Sequence, residues 1–512
     1  MGKAGNSCYG KYMAYELNEK CAVTGVITSK QGVNTAAMVY ECLYAMQHRG
    51  TEASGIVSEA GDGSLQARRE DGMVIDVYDA EDIARLSGPL AIGHNRYSTS
   101  GAKHGHAQPV VDKPIGLALS VNGNLPSTKK LEAFLAHHGI RTAGMNDVEM
   151  MGYAVAQHIR MGHTLPEAIT LAYPLFTGAF SAVALHNGSL VAFRDAHGIR
   201  PLALGKVEGG YALASETCGL DIIDATYIRE VEPGEMLVIT PDGLASHMLA
   251  ESEYKLDMFE FVYFARHDSR LYGKSVNEVR RRFGEVLARE HPPTAADRRN
   301  AVVVPVPDTS IPAAEGYADA LGLRHSQALI KNRYIGRTFM QPTPDRRRRQ
   351  LRRKHNIISE AVKDKDVILI DDSIVRLNTM PRLVDLVYAS GAASVSVLIA
   401  SPPVRFPDFY GIDTPDQSEL AAANMTIAQM KAKMGSSNKC RDFGYLSLQG
   451  MVAATGLPAH MFNLSCFTGE YPIDIGERKA EVRAPVSMEG TGVAASPRKR
   501  QSRTTAVPHP VQ

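Results

Sequence analysis

The sequence predicts an α+β first half joined to an α/β second half built on a doubly wound parallel sheet. Two observations carry that prediction. In residues 180–195, FSAVALHNGSLVAFRD, two apolar runs flank Asn187 and Gly188, the residue types that a two-residue hairpin turn with positive φ selects. From about residue 257 the rhythm becomes strand, helix, strand: AVVVPVP (301–307), IPAAEGYADALG, DVILI (366–370), MPRLVDLVYASG and SVSVLIA (394–400). Such alternation argues for parallel strands with crossover helices. A chain of 512 residues has room for about three domains of roughly 150 residues, or for two larger ones.

The remaining elements follow in chain order. Residues 1–20 lack the apolar core of a secretory signal, and no window holds 18 consecutive apolar residues, so the expected compartment is the cytoplasm and no membrane is involved. After Asn34, a helix cap, the run TAAMVYECLYAMQHRG places Met38, Cys42 and Met46 on one helix face and is expected to stop at Gly50, a C-terminal glycine. Past residue 476 the chain is rich in Lys, Arg, Pro, Ser and Thr without apolar period, and it reads as a disordered basic tail. There is no internal repeat.

Composition excludes several classes. With 44% hydrophobic and 22% charged residues, the chain is neither fibrous nor wholly disordered. Fifty-six basic residues against 55 acidic ones leave a net charge of +1, so no global field steers it to nucleic acid or to an anionic surface. The six cysteines, at 8, 21, 42, 218, 440 and 466, contain no CxxC pair and form no disulfide framework in a chain of this length.

In the second half, DVILIDDSIVRLNTM puts Asp371 and Asp372 at the carboxyl end of a buried strand, ahead of a short loop and a helix start. Ligands of open parallel sheets bind outside the strand carboxyl ends, and a helix N-terminus favours phosphate. Paired carboxylates there fit ribose hydroxyls, directly or through Mg²⁺, while Ser373 and Thr379 offer hydroxyls to a phosphate. Taken alone, the pair also fits two solvated acids in a strand-to-helix turn.

The run DDSIVR resembles the phosphoribosylpyrophosphate (PRPP) motif of type I phosphoribosyltransferases. VPVPDTS (304–310), KNRYIGRTF (331–339) and RFPDFYGID (405–413) are similar to stretches of the amidophosphoribosyltransferase family. The resemblance implies a pyrophosphate and Mg²⁺ contact at Thr309 and Ser310, with Asp371 and Asp372 as further metal and ribose contacts. It also implies a loop from 331–339 that closes over PRPP, with Lys331, Arg333 and Arg337 as its anion contacts. The run RRRRQLRRK (346–354) by itself fits a nucleic-acid patch or a localisation signal; within this loop it reads as a basic lid over a polyanion. One departure stands out. Where the family continues DDSIVRGTT, this chain has Leu377 and Asn378, and a leucine removes the freedom at positive φ that glycine would give a phosphate cradle.

In the first half, LNEKCAVTGVI is similar to the start of a class II glutamine amidotransferase, whose short propeptide is removed to leave cysteine at the mature N-terminus. Chemistry explains the demand, because the freed α-amine can activate the thiol of the same residue. Cleavage between Lys20 and Cys21 is therefore expected, with Cys21 as nucleophile. QHRGTEASGI (47–56), GHNRYSTSG (93–101), NGNLPS (122–127) and NDVEMM (146–151) resemble, in the same order, the glutaminase segments of that family. Carried over, Arg96 would bind the glutamine carboxylate, Asp147 its α-amino group, and Asn122 with the backbone of Gly123 the oxyanion. Each role fits: a guanidinium forks onto a carboxylate, and pre-aimed amides stabilise a tetrahedral oxyanion. Taken singly, these residues also fit a surface Arg, a turn Asn-Gly and a helix-capping Asp.

FRDAHGIRPL (193–202), ASETCGLD (214–221) and YFARHDS (263–269) extend the similarity, which covers roughly residues 14–476. The expected division is a propeptide at 1–20, a layered αββα N-terminal-nucleophile glutaminase domain at 21–256, a phosphoribosyltransferase domain at 257–476 and the tail at 477–512. Some family members hold an iron–sulfur cluster through four cysteines. Cys218 and Cys466 are read as two equivalents, with Asp408 and Asn463 at the others, and two thiolates do not make the Cys₄ shell of such clusters, so Mg²⁺ is expected and a cluster is not. The resemblance implies glutamine and PRPP as substrates, 5-phosphoribosylamine as product, purine nucleotides as inhibitors and a homo-oligomer. Leu377 and Asn378 motivate a second reading, a paralogue that delivers ammonia to a different phosphorylated acceptor. A non-catalytic regulatory homologue and a nucleic-acid binder complete the alternatives.

Overall fold

The computed structural model describes residues 21–97, 106–240, 243–331, 355–412, 414, 416–436 and 440–488. In chain order the first half contributes strands β1 (Ala22–Thr28), β2 (Ala53–Glu59), β3 (Leu65–Asp71), β4 (Leu90–Arg96), β5 (Val110–Asp112), β6 (Leu117–Ser127), β7 (Thr177–His186), β8 (Ser189–Arg194), β9 (Ala203–Val207), β10 (Gly210–Ala214), β11 (Thr226–Glu230), β12 (Glu235–Thr240) and β13 (Gly243–Met248). They form two sheets, in the orders β11-β9-β10-β1-β4-β2-β3 and β13-β12-β8-β7-β6-β5. The pairings within both are antiparallel. The predicted hairpin is β7–β8: Asn187 and Gly188 take φ of 48° and 73°, and His186 pairs with Ser189 across the turn.

Alternation along the strands sorts side chains into layers. Val23, Ile27, Val57 and Ile92 of the first sheet meet Val183, Leu185, Ala192 and Leu237 of the second in one buried core. The outer face of the first sheet, with Ala22, Val26 and Ile56, packs against Val39 and Leu43 of the helix Thr35–Ala45. Helices Lys129–His137, Asp147–Arg160 and Leu165–Ala172 cover the outer face of the second. The order helix, sheet, sheet, helix is the αββα arrangement.

Asn34 caps the first helix as predicted, its side chain accepting from Ala36 N at 3.0 Å. The stop differs. The helix ends at Ala45, a short 3₁₀ turn runs Gln47–Arg49, and Gly50 is extended with φ −167°. A Cβ on Gly50 would lie 2.7 Å from Asn95 C and 2.8 Å from Arg96 N, so close approach to β4, not a left-handed cap, demands glycine there.

The second half contains β14 (Ala301–Pro305), β15 (Arg324–His325), β16 (Asp366–Asp371), β17 (Ser394–Ile399) and β18 (Phe443–Tyr445), in the order β15-β14-β16-β17-β18. All four neighbouring pairs are parallel. Successive residues of each strand enter opposite cores: Val303, Ile368 and Ile370 face helices Val276–Glu290 and Ile311–Leu321, while Val302, Leu369 and Val397 face helix Met380–Ala389. Helices on both faces make the sheet doubly wound. The strand order reverses between β14 and β16, which marks the crevice where such sheets bind ligands.

The C-terminal stretch departs from expectation. Residues Gly476–Glu481 form a 3₁₀ turn, Arg483 N donates to Gln417 Oε1 at 2.7 Å, Val486 N donates to Ala423 O at 2.9 Å, and Met488 is buried. Hydrogen bonds to the Gln417 side chain and to the Ala423 carbonyl therefore tie down the first dozen residues of the expected tail despite their polar composition; residues 489–512 lie outside the described residues. Among the described residues no helix is long and apolar enough to cross a membrane.

Candidate active sites in the two halves

The first site grows from the centre of the first sheet. β1 pairs antiparallel with β4, Ala22 opposite Asn95, so Cys21 and Arg96 are the next residues outward on neighbouring strands. Cys21 is buried, its Sγ 3.9 Å from Tyr97 O, and its own carbonyl accepts from Arg49 Nε at 3.3 Å. Arg96 is 6% exposed, and its Nη1 has no hydrogen-bond partner among the described residues. A guanidinium nitrogen withdrawn from water without an acceptor is costly, and a ligand carboxylate supplies the missing acceptors.

Asn122 and Gly123 lie on β6. Asn122 is fully buried, yet neither Nδ2 nor Oδ1 of its amide has a partner among the described residues. Two residues before Arg96, His94 Nε2 lies 3.2 Å from Val121 O, which ties β4 to the strand just ahead of Asn122. Burial holds the His94 imidazole down to about 3, so it is neutral and its Nε2 donates. Gln108 grips the same residue, Val121 N donating to its Oε1 at 2.7 Å and its Nε2 donating to Val121 O at 3.3 Å. Gly123 has φ +156°, and a Cβ there would sit 2.0 Å from Ala179 O of β7; only glycine lets the two backbones approach so closely.

Asp147 opens the helix 147–160, but it is not the cap. Asn146 is, in a reciprocal box with Glu149: Glu149 N donates to Asn146 Oδ1 and Asn146 N to Glu149 Oε2, each at 2.8 Å. This frees Asp147 to reach β6, where its Oδ2 accepts from Leu125 N at 3.0 Å. Cys21, Arg96, Asn122, Gly123 and Asp147 are thus linked through β1, β4 and β6 and the contacts between them.

The motif around Gln47 hides a second function. Arg49 is fully buried, its Nη1 2.6 Å from Glu216 Oε1 and its Nη2 2.9 Å from Glu260 Oε1. Arg200 joins from Glu260 (3.0 Å) to Asp257 (3.1 Å). Sequence reading missed this brace, which grips the carbonyl of Cys21 and spans both halves, because Arg49, Arg200 and Glu216 are far in the chain from one another and from Asp257 and Glu260.

The second site is a cavity of about 120 Å³ at the carboxyl ends of β14 and β16. Thr309, Lys331, Asp371, Asp372, Ser373 and Thr379 all line it. Ser373 Oγ donates to Asp372 Oδ1 at 2.7 Å, and Asp372 N donates to Asp371 Oδ1 at 3.0 Å. The loop after Ser373 runs into helix Met380–Ala389, whose N-terminus favours an anion. Ser310 does not line it: its hydroxyl turns inward to Val306 O at 2.5 Å. Arg333, Arg337 and the basic run 346–354 lie outside the described residues.

Three lining residues were not anticipated: Asp308, Tyr263 and His355. Asp308, 3.6 Å from Lys331 Nζ, was visible as the acid of VPVPDTS, and Tyr263 as the start of YFARHDS; His355 carries no local signal. Leu377 also lines the cavity, with φ +56°. The chain therefore adopts at a leucine the left-handed backbone that glycine would take, while the side chain packs against the core under the sheet.

The cysteine reading needs correction at one position. Cys218 lies 3.7 Å from Glu216 Oε2, beside Ser269. The residues gathered with Asp408 at Cys466 include Asp257, which pairs in parallel with Asn463. The fourth member is therefore Asp257, not Cys218, leaving one thiol among two carboxylates and an amide. Among the described residues no group of three or more His, Cys, Asp or Glu side chains is placed to hold a metal ion.

Comparison with known proteins follows this geometry. Residues 94–221 match the family described as "Glutamine amidotransferase domain". The chain is 42% identical over 465 residues to the amidophosphoribosyltransferase of Synechocystis sp., covering 89% of this chain and 92% of the relative. The enzyme of that name from Bacillus subtilis is 36% identical, with 90% and 95% covered. Among solved structures, glutamine PRPP amidotransferase from B. subtilis, complexed with ADP and GMP, superposes with a TM-score of 0.81 at 35% identity, covering 89% of this chain and 98% of that one.

Proposed function

The chain belongs to the amidophosphoribosyltransferase family, and from that premise we propose how its two sites divide the reaction. The enzyme moves the amide nitrogen of glutamine to C1 of PRPP, giving 5-phosphoribosylamine, pyrophosphate and glutamate. The observation that carries the assignment of the first site is a pair of buried groups, Arg96 Nη1 and the Asn122 amide, that find no partner among the described residues. An amino-acid carboxylate and a carbonyl oxygen are the ligands they lack.

Cys21 Sγ attacks the side-chain carbonyl of glutamine while Arg96 holds the carboxylate and Asp147 the α-ammonium. The oxyanion that forms is met by Asn122 Nδ2 and the Gly123 amide, donors fixed in place before the charge develops. Collapse expels ammonia and leaves a thioester, which water hydrolyses to glutamate. The α-amine of Cys21 serves as base, which requires cleavage between Lys20 and Cys21.

At the second site ammonia adds to C1 of PRPP as the C1–pyrophosphate bond breaks. Lys331 meets the pyrophosphate, the loop 373–379 the 5′-phosphate, and Asp371 and Asp372 the ribose hydroxyls. The oxygen donors Asp371, Asp372 and Thr309 suit Mg²⁺, which keeps substrate phosphate and water in its shell; when bound it neutralises charge on the departing pyrophosphate. One thiol, Cys466, does not fit an iron–sulfur cluster. Purine nucleotides such as those seen in the B. subtilis structure are the proposed inhibitors.

The test is glutamate and pyrophosphate release followed in one reaction with glutamine, PRPP and Mg²⁺. Both should vanish in Cys21→Ala with glutamine as sole nitrogen source, and pyrophosphate release should return with ammonia. Glutamate without pyrophosphate would refute PRPP as acceptor. A mature chain whose mass still includes residues 1–20 would sink the N-terminal nucleophile.

A further inference from the structure

A turn of the second half lies directly on the oxyanion strand of the first. Asn124 Nδ2 donates to Phe409 O at 2.9 Å, and Gly411 lies over Gly123, near enough that a Cβ on Gly411 would be 3.7 Å from Gly123 Cα. Phe409 and Tyr410 are buried with Ala179 and Ile199, and Ala179 is the residue opposite Asn124 on β7. The turn therefore closes over both strands at the level of the proposed oxyanion donors.

It does so where the strand needs support. The β6–β7 ladder keeps register from Ala118 to Asn124 and then shifts before Ser127. Beyond Asn124 the ladder loses its register, and the side-chain contact from Asn124 to Phe409 adds support where it does so. The turn is itself held in shape from within: Asp408 Oδ1 accepts from Tyr410 N at 2.8 Å and from Ile412 N at 2.9 Å, and Thr414 Oγ1 accepts from Asp408 N at 2.7 Å. Tyr410 OH donates to Ile473 O and accepts from Ile473 N, anchoring the turn in the second half.

We propose that the turn 408–412 completes the glutaminase site, with Asn124 and Asp408 as positioning residues that hold Asn122 and the Gly123 amide on the oxyanion. The proposal rests on the oxyanion role given to those two residues above. Neither positioning residue touches substrate; each acts through backbone placement, to which catalytic geometry is steeply sensitive.

The experiment compares the full-length enzyme with Asn124→Ala, Asp408→Ala and Asp408→Asn, the last retaining an acceptor oxygen for the two amides. The alanine variants should lower kcat for glutamine hydrolysis about tenfold or more with KM for glutamine within about twofold, since Arg96 and Asp147 are untouched. Asp408→Asn should restore kcat, and ammonia-dependent pyrophosphate release should stay at the wild-type rate in all three. Unchanged kcat in both alanine variants, a change confined to KM, or parallel loss of the ammonia reaction would overturn the proposal. If Asp408→Ala fails to fold, Asn124→Ala and Asn124→Ser carry the test. Asn122→Ala, run beside them, separates the two ideas: if it leaves kcat intact the oxyanion reading is at fault, whereas a fall there without one in Asn124→Ala rejects the turn alone.

Discussion

Gly123→Ala tests the first site through backbone geometry alone. The new methyl carbon would stand 2.0 Å from Ala179 O, 2.7 Å from Phe180 Cα and 2.9 Å from Ala179 C, all of them backbone atoms of β7. No rotamer change relieves such contacts. Ordinary van der Waals separation begins near 3.4 Å, so the strands must part by about 1.4 Å at this point. A displacement of roughly 1 Å costs on the order of 10²-fold in rate, and loss of one oxyanion donor about 10²–10³-fold. We therefore expect kcat for glutamine hydrolysis to fall by about 10²–10³. The clashing atoms all belong to β7 and none to the parallel sheet, so ammonia-dependent release of pyrophosphate should remain within about threefold of wild type. The assay follows glutamate with glutamine as nitrogen source and pyrophosphate with ammonia, on the same preparation. A kcat for hydrolysis within threefold of wild type would refute the role given to the Gly123 amide.

Three further outcomes follow from other parts of the molecule. Leu377 already takes the left-handed backbone at a cost of about 1–2 kcal/mol, so Leu377→Gly should leave KM for PRPP within about threefold; a tenfold fall would show that the side chain obstructs the cradle. Arg49→Met removes the cation from between Glu216 and Glu260 and should destabilise the fold by about 3–5 kcal/mol, read from urea unfolding midpoints; a loss below about 1 kcal/mol would argue against the brace. Burial and the neighbouring Asp408 raise the Asp257 carboxyl from 3.8 to about 8. Between those values the folded chain keeps a proton the unfolded chain has lost, so its stabilising effect is full below about pH 4 and is lost as pH rises to about 8, by up to about 1.4 kcal/mol per unit. Asp257→Asn should flatten that slope in denaturation midpoints taken from pH 5 to 8, and an unchanged slope would contradict the assignment.

What could be read in the sequence was what chain neighbours encode. The hairpin at Asn187-Gly188, the cap at Asn34, the parallel strands around DVILI and the cavity residues from Asp371 to Thr379 all depend on spacing within a dozen residues or on one motif. What escaped depends on long-range contact. Gly50 is extended because β4 passes against it, and residues 482–488 are ordered because 417–423 offer partners, neither of which composition records. The residue that completes the group at Cys466 is Asp257, brought there by a two-residue parallel pairing with Asn463. Arg49 looked like one more letter of a glutaminase motif; its partners Glu216 and Glu260 stand 167 and 211 residues away.

The contact between Asn124 and Phe409 joins residues 285 apart in the chain, and this sets a schedule for synthesis. At about 5–20 residues per second, a ribosome that has just translated Asn124 delivers Phe409 about 15–60 s later. During that interval the nascent first half can form its two sheets, but it lacks the turn proposed to steady the strand that carries Asn122 and Gly123. Glutamine hydrolysis without an acceptor wastes nitrogen, and a nucleophile finished only after the acceptor-binding half exists does not incur that loss. On that proposal the order of domains along the chain acts as a timer, and a circular permutant that places 257–476 first is expected to lose it.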